Sequence, residues 1–158
     1  MSGKQALTAA LLCGGWAACT AATPPVHLDS AGTRDRAARI ATVRPYFRPQ
    51  VPLADAEYLI DVHDNSGGCV PGPSDWTLTL ALRVAPGDAR ALAIGYQAQL
   101  PSAPLDGEAG RALAQVTAML RDRDWPALHG TPRVFGGARS ARAVYEEEGV
   151  VLVYDGVR

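Results

Sequence analysis

Asp61 and His63 lie two residues apart in a stretch that alternates like a β-strand, and Cys69 follows six residues later. Residues i and i+2 of a strand share a face, so a carboxylate and an imidazole at this spacing can meet. A thiol held beside that ring would complete a nucleophilic set. Cys69 would attack, His63 would take its proton, and Asp61 would orient the imidazole. The same Asp61 and His63 also offer two metal ligands, with His129 or Asp64 as a third. The plainer alternative is structural. A His beside an Asp on a strand serves a cross-strand or loop-anchoring hydrogen bond, and Cys69 acts as a small buried hydrophobe.

Between His63 and Trp76 runs the loop DNSGGCVPGPSD, residues 64–75. Asp64, Asn65 and Ser66 favour Asx-type turns, and Gly67 and Gly68 supply positive φ. Pro71 and Pro73 stiffen the return, and Ser74 or Asp75 ties it down. Such a loop can be purely structural. It can also be a recognition element, because a stiff loop at a sheet edge enters a partner's cleft at low entropic cost. In that reading Asp64, Asn65, Ser66, Gly67, Gly68 and Trp76 form the binding surface.

Other chemistry-bearing clusters are weaker. Phe135-Gly136-Gly137 could cradle an anion, but it lacks the strand–helix context and reads as a bend. Glu146, Glu147 and Glu148 fall at a hairpin tip, where a solvated acidic turn is the default. Arg44 and Arg48 flank Tyr46 and Phe47, and the preferred reading is a linker whose aromatics dock on the fold. There is no G-x-S-x-G, H-E-x-x-H, CxxC or Walker motif. Lys4 is the single lysine, which excludes lysine-based catalysis in the body of the chain. No motif asks for a cofactor or a resident metal.

The elements that would position these residues can be read from periodicity. A chain of 158 residues, 47% hydrophobic and 20% charged, suits one globular domain. The formal net charge of −1 gives no electrostatic case for nucleic-acid binding. Thr33 would cap a short helix over 34–43, ended by Pro45. Tyr58 to His63 is a strand. Trp76 to Val84 is the clearest strand, with Trp76, Leu78, Leu80, Leu82 and Val84 on one face. Residues 89–100 suit strand or helix, and the alternation of Leu92, Ile94 and Tyr96 favours strand. A helix over 107–124, capped by Asp106, carries the apolar stripe Ala109, Ala112, Leu113, Val116, Met119 and Leu120. The chain closes with a hairpin of 141–146 and 150–154, whose VVLVY run is apolar on both faces and so belongs mid-sheet. The fold class is α+β: a mostly antiparallel sheet of four or five strands with one long helix packed on a face.

The first residues read MSGKQALTAALLCGGWAAC. Lys4 makes a positive n-region, Ala6 to Leu12 an apolar h-region, and Ala17 and Ala18 lead to Cys19. The apolar run is too short to span a bilayer, which takes about 20 residues. Trp16-Ala17-Ala18-Cys19 resembles the lipobox of bacterial lipoproteins, with Trp16 where an aliphatic residue is usual. The resemblance covers residues 1–19 only. It implies that Cys19 becomes the first mature residue and carries diacylglycerol and an amide-linked acyl chain. With Thr20 rather than Asp next, it implies sorting to the periplasmic face of the outer membrane. A cut by the other signal peptidase would instead leave a soluble periplasmic protein, in which Cys19 could pair with Cys69.

The expected organisation is a signal peptide over 1–18, a lipid-anchored linker over 19–32 and a single α+β domain over 33–158. The expected role is non-enzymatic binding in the cell envelope, as an inhibitor, an immunity protein or an accessory protein. Its expected partners are the membrane, through the anchor, and an envelope protein. The alternative is a small Cys- or metal-dependent envelope hydrolase built on Asp61, His63 and Cys69.

Overall fold

The computed structural model describes residues 24–65, 74–96 and 107–157. The fold is α+β, built on one antiparallel sheet of six strands rather than four or five. The strands are β1 (Val26–Asp29), β2 (Asp55–His63), β3 (Asp75–Arg83), β4 (Arg133–Gly136), β5 (Ser140–Tyr145) and β6 (Val150–Val157). Their spatial order is β1-β2-β3-β6-β5-β4. The run expected in the middle of the sheet is therefore central, with β3 on one side and β5 on the other.

The sheet is covered on both faces. α2 (Gly107–Met119) buries Ala109, Leu113 and Val116 and packs with Ala81, Ala143, Leu152 and Tyr154 on one face. α1 (Arg36–Val43), the segment after it and a 3₁₀ helix (Pro86–Ala93) cover the other face. There Val43, Phe47, Ala89 and Leu92 meet the even-numbered residues of β2 and β3. Leu78, Leu80, Leu82 and Val84 are all buried, as their alternation demands.

Several elements differ from the sequence expectation. Asp35, not Thr33, caps α1: its carboxylate accepts from the Ala38 N–H at 3.0 Å. Residues 86–93 form a 3₁₀ helix where 89–100 favoured strand. Pro86 sits in its first turn, where its missing N–H costs nothing. Ile94, one of the alternating residues behind the strand reading, is 69% exposed. The later part of that stretch, 97–100, lies outside the described residues, as does the expected cap Asp106. α2 ends at Met119, and a 3₁₀ turn over Leu120–Asp122 carries the chain on. Phe135 and Gly136 belong to edge strand β4 rather than to a bend. Within the expected linker over 19–32, Val26–Asp29 is ordered as the edge strand β1.

Gly149 closes the β5–β6 hairpin at φ +64, and a Cβ there would lie 2.4 Å from the Val84 carbonyl oxygen. Only glycine fits both the left-handed backbone and that approach.

Candidate binding surface

β1, β2 and β3 align one apolar row. Val26 faces Val62, and Val62 faces Trp76. Directly opposed residues in antiparallel strands share a face. This row is the last one at that end of the sheet, on the face that α1 covers farther along. The covering layer stops short of it. Val26 is 40% exposed, Trp76 is 38% exposed, and Val62 is only partly buried. Tyr46, in the turn after α1, is 43% exposed and walls the groove from the helix side. Tyr46, Ile60, Val62, Trp76 and Leu78 together line a cavity of about 250 Å³. The strand pattern demands that Trp76 point to this face, and the end of the cover leaves it in the open.

The neighbouring aromatic serves the interior. Phe47 packs on the core beneath a buried guanidinium, that of Arg142. Arg142 lies 4.6 Å from the Tyr96 ring centroid and 5.7 Å from that of Phe47. Its two terminal nitrogens donate to Asp155 at 3.0 and 2.7 Å, and Ser140 also bonds Asp155. The expectation that these aromatics dock on the fold thus holds for Phe47, while Tyr46 faces out. Arg44 and Arg48 are exposed on either side of Tyr46.

The polar residues singled out by type and spacing are arranged differently from a nucleophilic set. Asp61 is engaged across the sheet edge by His27, which the sequence reading passed over. The two are register partners, and Nδ1 of His27 lies 2.5 Å from Oδ1 of Asp61. The hydrogen bond that the protonated ring donates to Asp61, and then the charge of Asp61, hold the His27 imidazole above its ordinary value, with a smaller push from Asp29. His63 is exposed at the end of β2, opposite Asp75. His129 is tied into another region, where its backbone N–H donates to Glu148 at 2.9 Å. Among the described residues no three His, Cys, Asp or Glu side chains gather as a metal site. Ser74 donates to Asp64 at 3.1 Å and so joins the two described ends of the loop. Cys69, Ser66, Gly67 and Gly68, like Cys19, lie outside the described residues.

A second polar cluster is structural. Ser30 still donates its backbone N–H to the Tyr58 carbonyl at 3.1 Å, and beyond it the chain leaves the edge of β2 and side chains take over the bonding a neighbouring strand would supply. Ser30 accepts the Tyr58 N–H at 2.9 Å, and Arg39 donates through Nε to the Ala56 carbonyl at 3.0 Å. Arg39 also forks onto Asp55, both of whose oxygens lie 2.7 Å from Nη2. Glu57, fully buried, lies 3.2 Å from Arg39 Nε and 3.0 Å from Arg123 Nε. Its other oxygen accepts from Ser30 Oγ at 2.5 Å. Burial raises the Glu57 carboxyl above the usual carboxylate range, against the pull of Ser30, Arg123 and Arg39.

No family model, no curated protein and no solved structure matches this chain.

Proposed function

We propose that this protein is a lipid-anchored component of the bacterial cell envelope that acts by binding, as an inhibitor, an immunity protein or an accessory protein, at the periplasmic face of the outer membrane. One observation supports the binding role above the others: the open apolar groove around Trp76, at the end of the sheet where β2 and β3 run into the 64–75 loop. Isolated exposed apolar residues are ordinary, but a contiguous row that ends in a half-exposed tryptophan marks a contact surface. The engagement of Asp61 by His27 favours the same reading over a hydrolase, because the carboxylate assigned to orient His63 already has a partner. The anchor rests on the lipobox-like residues that end at Cys19.

Cell fractionation of the chain and of its Cys19→Ala variant tests the anchor. The parent is expected with the membranes and the variant in the soluble periplasm or uncleaved. Identical soluble behaviour of both would contradict it. A photoreactive phenylalanine analogue at position 76 tests the surface in intact envelopes. An adduct with an envelope component is expected, and none would contradict the binding role.

A further inference from the structure

We propose that the apolar end of the sheet, from Val26 to Trp76 and Tyr46, docks on the lipid bilayer itself, so that the domain lies on the membrane rather than hanging from its tether. The inference rests on the proposed anchor at Cys19 and names the envelope component that the groove meets.

Three observations lead there. The first is reach. Val26 is both the first residue of β1 and a member of the exposed row. Seven residue steps separate it from Cys19. A fully extended chain covers roughly 3.3–3.6 Å per residue, so the patch is held within about 25 Å of an acylated Cys19. Pro24 and Pro25 stand immediately before the strand and stiffen the junction. Of all the surface, this edge is tied nearest to the bilayer.

The second observation is the composition of the patch. Its outermost side chains are a tryptophan and a tyrosine over a floor of Ile60, Val62 and Leu78. Trp and Tyr prefer the membrane–water boundary, where an apolar ring meets hydrocarbon and the polar edge meets headgroups. A shallow open groove suits acyl chains and headgroups that conform to it.

The third is charge. Arg44 and Arg48, two residues either side of Tyr46, are exposed and line the hollow next to the groove with Ile40 and Val51, where their long side chains can reach headgroup phosphates of the same surface. The nearby acids Asp61 and Asp75 occupy the odd-numbered positions of β2 and β3, so strand alternation sends them to the other face. Asp155, opposite Leu78 on the patch's own face, is neutralised by Arg142, and Asp64, just beyond β2, accepts a hydrogen bond from Ser74. The exposed charges flanking Tyr46 in the chain are therefore basic although the whole chain carries a formal net charge of −1.

The test uses the full chain, expressed with its own signal and purified in its acylated form. A Trp125→Phe change leaves Trp76 as the sole indole once residues 1–18 are removed. The protein is reconstituted into vesicles of phosphatidylethanolamine and phosphatidylglycerol, with and without lipids brominated near the headgroup end of the acyl chains. The expected result is co-flotation with the vesicles, a blue-shifted Trp76 emission and a loss of at least half of it to the brominated lipids. Arg44→Glu with Arg48→Glu should weaken that quenching without releasing the protein. Flotation with unquenched Trp76 would overturn the docking while leaving the anchor standing, and would return the groove to a protein partner. Failure to float would overturn the anchor and the docking with it. If Trp125→Phe does not fold, the methyl resonances of Val26 and Val62 in the unchanged chain read the same contact. Lipids with a paramagnetic headgroup label should broaden them, and unbroadened methyls in a floating protein would overturn the proposal.

Discussion

Arg39 meets Asp55, Glu57 and three backbone carbonyls, those of Thr33, Arg34 and Ala56, from a single buried guanidinium. Without it the cations left would be the half-exposed Arg36 at 3.5 Å for Asp55 and Arg123 at 3.0 Å for Glu57, and the buried carboxylates would lose their shared, buried partner. Arg39→Ala is therefore expected to destabilise the fold by about 3–5 kcal/mol, the usual cost of breaking a buried ion pair from one side. Urea unfolding measures it, and a loss below about 1 kcal/mol would contradict the assigned role. His27 offers a second residue-scale test. Its imidazole titrates above the ordinary histidine value because of Asp61, so the pair stabilises the fold below the unfolded-state histidine value. That contribution fades as pH rises through the higher folded value. In an NMR titration the His27 midpoint should fall in Asp61→Asn, and an unchanged midpoint would refute the coupling. Neither constellation was legible from spacing. Arg39 and Asp55 are 16 residues apart, and His27 and Asp61 are 34 apart. Only strand pairing and the departure of the chain after Ser30 bring them together. The Asp61–His63 spacing was visible, but the partner that Asp61 takes comes from a strand that the sequence did not announce.

Elements with a long, clean period were legible, and short ones were not. β3 alternates over nine residues and was placed from sequence to within one residue, and α2 repeats its apolar face over three turns, so its start was placed although it ends at Met119, five residues before the expected 124. β1 has four residues, two of them apolar, and follows a Pro-Pro pair that reads as a tether. The alternation of Leu92, Ile94 and Tyr96 imitates a strand although only Leu92 lies in the 3₁₀ helix over 86–93 and the other two follow in the turn after it. β2 begins at Asp55, three residues before the expected start, because its first turn-like charges are buried and paired. Two positions on one face of β3 give a stability contrast at this scale. Leu80 is fully buried, so Leu80→Ala should cost about 2–5 kcal/mol. Trp76 sits on the same strand face yet is 38% exposed, so Trp76→Ala should cost clearly less, about 1 kcal/mol. Paired denaturation curves decide the order. Equal losses would place Trp76 in the core and remove it from the contact surface.

On the scale of the whole molecule, the sheet is shielded by helices at its middle and left open at one end. That end is where the chain arrives from Cys19. The fold class was legible because an α+β arrangement follows from counting periodic segments. The location of the open surface was not, because it depends on where α1 and the turn at Tyr46 stop covering the sheet. An anchor at Cys19 makes this geometry purposeful, since a tether of a few residues orients the domain. Intact-mass spectrometry of the protein purified from its native envelope tests that anchor most directly. The expected mass is that of a chain that begins at Cys19 and carries a diacylglyceryl group and an amide-linked acyl chain. An unmodified chain in the soluble fraction, or one cut elsewhere, would contradict it.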